Sequence, residues 1–162
     1  LYWFTDPQES LKAHENLIFG YHHQPPFSRS SVLIEDKILD YSQKVMQDYD
    51  VRPQAPELIT SNFSGGNQQK IILSRELNKN PKILLVGQPT RGVDIGAIEF
   101  IHQRLIDMRD KGVAILLVSV ELEEVLSLSD RIVVMFDGKI VGEKNNQDVT
   151  DREIGLLMAG IS

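Results

Sequence analysis

The chain has no cysteine, which excludes a disulfide framework and a thiolate metal site and gives no sign of an oxidising compartment. It has no apolar run near the about 18 residues that a membrane-crossing helix needs. Apolar runs such as Ile83 to Val86 and Val113 to Val118 are far too short, so no segment reads as spanning a bilayer. Basic residues are few and scattered: 17 Lys and Arg against 23 Asp and Glu leave a net charge of −6. No patch could neutralise a run of nucleic-acid phosphates, so nucleic acid is not an expected partner. The Gly-x-x-x-x-Gly-Lys-Ser/Thr loop that cradles phosphates is missing too, because Gly138-Lys139 is followed by Ile140 and falls in an expected hairpin. Leu1-Tyr2-Trp3-Phe4 is too short and lacks the basic flank of a signal peptide. A first residue that is not methionine reads as a piece of a longer protein.

What remains is an ordinary globular mixture, 41% hydrophobic and 25% charged over 162 residues, enough for one domain with a core. Ile34, Ile38, Tyr41, Val45 and Tyr49 recur at steps of three and four, which predicts an amphipathic helix over 35–48, ended by Pro53 and Pro56. Gly20 to Ser31 reads as a loop by its breakers. Ser64-Gly65-Gly66 is expected to open a helix through Leu77, stopped by Asn80-Pro81 before an apolar strand over 83–86. Ile98, Ile101, Leu105 and Met108 predict a helix over 97–109 closed by Lys111-Gly112, and Val113 to Ser119 reads as a buried strand. A short acidic helix over 121–128, a hairpin turning at Asp137-Gly138 and a last helix over 151–159 with a Thr150/Glu153 capping box complete the expectation. Strands alternating with helices predict an α/β layered fold with mostly parallel strands.

The chemistry centres on two pieces, Phe63-Ser64-Gly65-Gly66-Asn67-Gln68-Gln69-Lys70 and Gln88-Pro89-Thr90-Arg91-Gly92-Val93-Asp94. A helix start offers unpaired N–H groups and partial positive charge, two glycines let an anion approach the backbone, and Ser64 adds a hydroxyl. By itself a Ser-Gly-Gly before a helix is more often a plain cap and turn. Spacing adds weight, since Gly87 lies 23 residues after Ser64.

With that spacing the two pieces resemble the signature and the Walker B and D-loop regions of the ATP-binding subunits of ABC transporters. The resemblance covers about residues 10 to 160, roughly the last two-thirds of such a domain; residues 1 to 9 do not match it. It implies an α/β fold that is part of a P-loop NTPase (ABC ATPase) domain, a mostly parallel sheet flanked by helices. A helical-subdomain portion would occupy 10–62 and the signature helix and C-terminal α/β part 63–162, with the phosphate-loop strand and the antiparallel β-subdomain missing. In that family two subunits close head to tail, so Ser64, Gly65, Gly66 and Asn67 would act in trans on ATP lying on the other's phosphate loop, and Asp94 would be the D-loop aspartate. Phe63 departs from the family's usual leucine at an apolar packing position, and Asn67 in place of glutamine is common among sugar-importing members.

The other end departs further. Where the family has an aspartate that organises Mg²⁺ and a glutamate that polarises the attacking water, this chain has Gly87 and Gln88, and Val120 stands where the switch histidine is usual. Glycine supplies no ligand, an amide takes no proton, and losing a positioned base removes ~10²–10⁴ in rate. No catalytic residue is intact by this reading, and this chain alone is expected to be inactive with very weak ATP binding of its own. The pattern resembles the second, degenerate domain of tandem importers of monosaccharides and nucleosides. Residues 88–105 and the ending Leu157-Met158-Ala159-Gly160 look most like the nucleoside branch.

The implied partners are a first ABC domain of the same or a homologous chain, which holds most of the Mg-ATP, membrane permease subunits, and indirectly a solute-binding protein. The implied location is the cytoplasmic face of the cell membrane, peripherally attached. The alternative is a stand-alone truncated module without catalysis that binds or regulates a partner ATPase. A non-transport ATPase for repair or translation is disfavoured by Arg91-Gly92-Val93-Asp94 and the lack of basic patches. His22-His23 lack a third ligand at a recognisable spacing and read as an exposed loop pair, so no metal is expected. His102 reads as a boundary residue, Gln88 alternatively as a plain polar strand end, and Asp130 with Glu121 to Glu124 as a solvated face.

Overall fold

A computed structural model describes residues 2–3 and 8–161. The mismatch noted for residues 1 to 9 falls largely outside them. Strand β1 is Tyr2–Trp3, α1 is Ala13–Leu17, β2 and β3 are Ser28–Arg29 and Val32–Leu33, and α2 is Glu35–Asp48. Then come α3, Gly65–Leu77; β4, Ile83–Gly87; α4, Ile95–Asp110; β5, Ala114–Val118; and α5, Leu122–Leu128. The hairpin strands β6 and β7 are Arg131–Phe136 and Lys139–Asn145, and α6 is Asp151–Met158. A three-stranded sheet has the order β1-β4-β5, with β1 parallel to β4 through Tyr2↔Leu84 and Trp3↔Leu85.

The chain divides into two compact units, 1–85 with 89–115, and 86–88 with 116–162. In the first, α2 occupies the 35–48 span that its periodicity predicts. Its apolar stripe enters a core of Ala13, Leu17, Val45, Met46, Val51, Phe63 and Ile71. The helix stops at Asp48, well before the prolines expected to end it: Tyr49 caps it, and Asp50 turns the chain at φ +48°. The loop expected over 20–31 contains the first strand of a small hairpin, β2 against β3, turning through Ser30 and Ser31 at φ 51° and 64°. Helix α3 runs to Leu77 as expected, and Asn80 turns at φ +48° before β4.

Around α1, the buried Asn16 donates to the Gln8 carbonyl at 2.9 Å and to Thr60 Oγ1 at 2.8 Å, and Thr60 Oγ1 donates to the Leu11 carbonyl at 2.8 Å. This satisfies the polar groups that bring the 56–60 segment against α1. The Arg75 guanidinium and Glu76 carboxylate are both buried on α3, 2.6 Å apart, and Lys79 reaches the same carboxylate at 2.8 Å.

The second unit is built on the β6–β7 hairpin. Its two-residue turn has Asp137 and Gly138 at φ 46° and 71°, the left-handed pair that a tight hairpin requires. Strand β7 runs to Asn145, and its register with β6 shifts at a bulge between Val134 and Met135. Ile132, Val134 and Ile154 form the core there, closed by α6, whose Thr150/Glu153 capping box forms as expected. The Thr150 N–H and hydroxyl donate to the Glu153 carboxylate at 2.8 and 2.9 Å and hold that carboxyl below its ordinary range.

Two further expectations are corrected. The run Val113 to Ser119 predicts a strand covered on both faces, but β5 alternates: Ile115 and Leu117 are half-buried while Leu116 and Val118 are 58% and 59% exposed. The strand lies at the end of the sheet order, and the described residues cover one of its faces only. Glu124, expected on a solvated face, is buried, because on this short helix it shares a face with half-buried Leu128 four residues on. Glu121, Glu123 and Asp130 are exposed as expected.

Candidate functional site

Ser64 to Asn67 form the N-terminus of α3, held from behind by Phe63, which is 4% exposed in the core. This is the packing role expected of an apolar residue before the motif. Ser64 itself is exposed and sits at the cap position with φ −62° and ψ 156°, yet its side chain makes no capping hydrogen bond. Its Oγ instead accepts from Asn67 Nδ2 at 2.9 Å. The first-turn N–H groups of α3 are therefore left uncapped by the residue best suited to cap them, and the positive end of the helix dipole stays open.

Asn67 is fixed at both ends of its amide. Its Oδ1 accepts from the backbone N–H of Arg52 at 2.7 Å while its Nδ2 faces Ser64. The segment that brings Arg52 there is the turn after α2. Asp50 accepts from Arg52 Nε at 2.8 Å, and Lys70 Nζ donates to the Asp50 carbonyl at 2.9 Å, with the Asp50 carboxylate 3.4 Å away. The hydrogen bond from Arg52 is the main reason the Asp50 carboxyl is held below its ordinary range, and Lys70 adds to it. Sequence reasoning missed Asp50, Arg52 and Lys70. Lys70 belongs to the motif run, but nothing in the pattern signals a partner in a turn 20 residues earlier.

Asp94, at the start of α4, comes close to this helix start. A Cβ built on Gly66 would stand 3.0 Å from Asp94 Oδ2 and 2.9 Å from the Ala97 Cβ, and one on Gly65 would stand 3.1 Å from the Gly92 carbonyl. Both glycines are thus needed for close approach of the segment 92–97. Asp94 has a cap's job: Oδ1 accepts from Ala97 N at 2.9 Å. Farther along these helices Lys70 and Arg104 lie over the Phe100 ring at 4.9 and 5.0 Å, and Arg104 donates to the Asp48 carbonyl at 2.7 Å. Burial raises the Tyr49 hydroxyl, which lies in the same cluster with its ring 5.0 Å from Arg104.

Gly87, Gln88 and Val120 belong to the other unit. Gly87 is exposed, and a Cβ there would meet nothing within 4 Å. Gln88 adopts φ +50°, and its N–H donates to the Val118 carbonyl at 2.8 Å, so its backbone is held while its side chain carries an amide. Val120 is 65% exposed, beside a turn in which Glu121 N donates to Ser119 Oγ at 3.0 Å. None of the three supplies a carboxylate or imidazole, so this trio does not fit a divalent cation or a proton acceptor. His22 and His23 are exposed neighbours with rings 5.7 Å apart, and His102 is half-buried.

Comparison with known proteins follows the same outline. No family model matches the chain. The guanosine import ATP-binding protein NupO of Bacillus subtilis is 46% identical over 146 residues, and the nucleoside import ATP-binding protein NupA of Lactococcus lactis is 46% identical over the same length. Each match takes in 90% of this chain but 29% of the relative, so the chain spans less than a third of either protein. The ribose import ATP-binding protein RbsA of Bacillus licheniformis is 42% identical over 110 residues, 68% of this chain and 22% of that protein. Among solved structures, a dimeric bacterial ABC transporter cassette superposes with a TM-score of 0.68 at 25% identity, over 88% of this chain and 60% of that one. The ATP-binding subunit of an ABC transporter superposes at 0.71 over 95% of this chain and 65% of that one; at 16% identity it speaks for the fold alone.

Proposed function

We propose, for a chain that belongs to the ATP-binding-cassette proteins, that it is part of the ATP-binding subunit of an importer for a nucleoside or simple sugar. Its role there is to present Ser64, Gly65, Gly66 and Asn67 in trans to ATP held by a partner domain, with Asp94 lining the same approach. The single observation that carries this reading is the uncapped start of α3, where Ser64 declines the helix's own N–H groups and keeps an exposed hydroxyl. A polyphosphate is the ligand that such a start is suited to receive, the carboxylate beside it, Asp94, being engaged by Ala97 N.

The geometry divides the labour. Gly65 and Gly66 let the segment 92–97 close against the helix start, and Asn67 braces the serine. Gly87, Gln88 and Val120 leave this chain's own nucleotide position without metal ligand, base or switch, so the water-activating groups belong to the partner domain. The nucleoside and sugar import proteins among the relatives support the solute class. With no described helix long and apolar enough to cross a membrane, attachment through permease subunits at the cytoplasmic face fits the same reading.

The test is ATP turnover by the full-length protein that carries this chain, assembled with its permease. Ser64→Ala removes a phosphate-facing donor and is expected to lower turnover by about 10²-fold. Gln88→Ala is expected to leave turnover within about twofold, because an amide there does not serve as the positioned base. Unchanged turnover in Ser64→Ala, or a collapse in Gln88→Ala, refutes the proposal.

A further inference from the structure

We infer that Asp50 is a positioning residue for Ser64: its turn fixes the Asn67 amide, and the amide fixes the direction of the serine hydroxyl proton. This rests on the reading that the α3 start receives a phosphate, and it adds the element that orients the donor.

The argument is one of hydrogen-bond parity. Arg52 reaches Asn67 through a backbone N–H, which can only donate, so the atom it meets at 2.7 Å must be the amide oxygen. The other end of the amide is then NH₂, and Ser64 Oγ, 2.9 Å from it, must accept. Having accepted from inside the fold, the exposed Ser64 hydroxyl sends its own proton outward. An amide flipped the other way would place its oxygen against Ser64 and turn that proton inward.

What keeps the Arg52 N–H in place is the turn at Asp50. Its left-handed φ of +48° reverses the chain directly after α2. The Arg52 side chain closes back on the Asp50 carboxylate at 2.8 Å. Lys70, whose side chain is only 12% exposed, ties the turn to α3 through the Asp50 carbonyl at 2.9 Å. The turn therefore grips α3 at Asn67 and again at Lys70, three residues on and close to a full helical turn away, which leaves it little freedom to slide along the helix.

The experiment measures the ATP dependence of turnover in the full-length protein with its permease. Glycine suits a left-handed φ, so Asp50→Gly removes the carboxylate while keeping the turn and its carbonyl. It is expected to raise the KM for ATP about fivefold, the size of one net hydrogen bond, with the thermal midpoint unchanged. Asp50→Asn, which still accepts from Arg52 and tolerates the same φ, recovers most of that loss. Asn67→Asp keeps the acceptor for Arg52 but turns a carboxylate oxygen to Ser64, and its KM rises at least as far. In the Ser64→Ala background, Asp50→Gly adds nothing, because there is no hydroxyl left to orient. Ser64→Ala with a wild-type ATP dependence overturns the underlying reading and this inference with it. An impaired Ser64→Ala beside an Asp50→Gly of wild-type KM, or full additivity of the two, overturns the inference alone.

Discussion

Helices α3 and α4 start in the same way and spend their cap residues differently. Ser64 and Asp94 have nearly the same extended backbone, φ −62° and ψ 156° against φ −76° and ψ 162°. Asp94 accepts from Ala97 N, three residues into its helix, as a cap should. Ser64 ignores its helix and accepts from a side chain. Thr150 at the start of α6 behaves like Asp94, taking the Glu153 N–H and closing a capping box. Helices α2 and α5 also start without a side-chain cap, at Ile34 and Glu121, so a missing cap is no mark by itself. What sets α3 apart is a serine able to cap that is engaged by Asn67 instead and is followed by two glycines, which is the combination the proposed role rests on.

Three substitutions bear on this contrast, each read by urea unfolding of the chain. The largest effect is expected from Gly66→Ala, which forces a methyl against the Ala97 Cβ at 2.9 Å and Asp94 Oδ2 at 3.0 Å. Overpacking of this kind costs about 2 kcal/mol, and a neutral result would mean that α3 and the start of α4 are less closely apposed than described. Asp94→Ala removes a working cap and should cost about 1 kcal/mol. Ser64→Ala, at a position where loss of a cap would ordinarily cost as much, should stay within about 0.5 kcal/mol, because the helix loses nothing and only an exposed amide loses an acceptor. Equal losses for Asp94→Ala and Ser64→Ala would erase the distinction between the two helix starts.

Much of this was legible in the sequence. The extent of α2 follows from a clean apolar stripe, and the Asp137-Gly138 hairpin and the Thr150/Glu153 capping box follow from side chains whose local chemistry allows little else. The end of α2 falls where the stripe predicts, but its cause is Asp50 and not the prolines, because an aspartate can take a left-handed φ without any mark in the sequence. The small hairpin over 28–33 was hidden for the same reason, since its turn uses two serines where asparagine and glycine are the usual signs. An apolar run identifies β5 as a strand but does not count the layers that cover it. At the site, Ser64 to Asn67 and Asp94 stood out through their resemblance to a family's motifs at the family's spacing. The Asp50 turn did not, because it acts through the N–H of Arg52, which every residue but proline possesses.

The half-covered β5 has a consequence for how this polypeptide behaves in bulk. A strand at the end of a sheet presents a row of backbone donors and acceptors, and here that row runs beside protruding leucine and valine. Such an edge is a template for any other strand that meets it. As concentration rises, pairing along this ribbon is a route to self-association, and Leu116→Lys is expected to weaken it by placing a charge beside the edge.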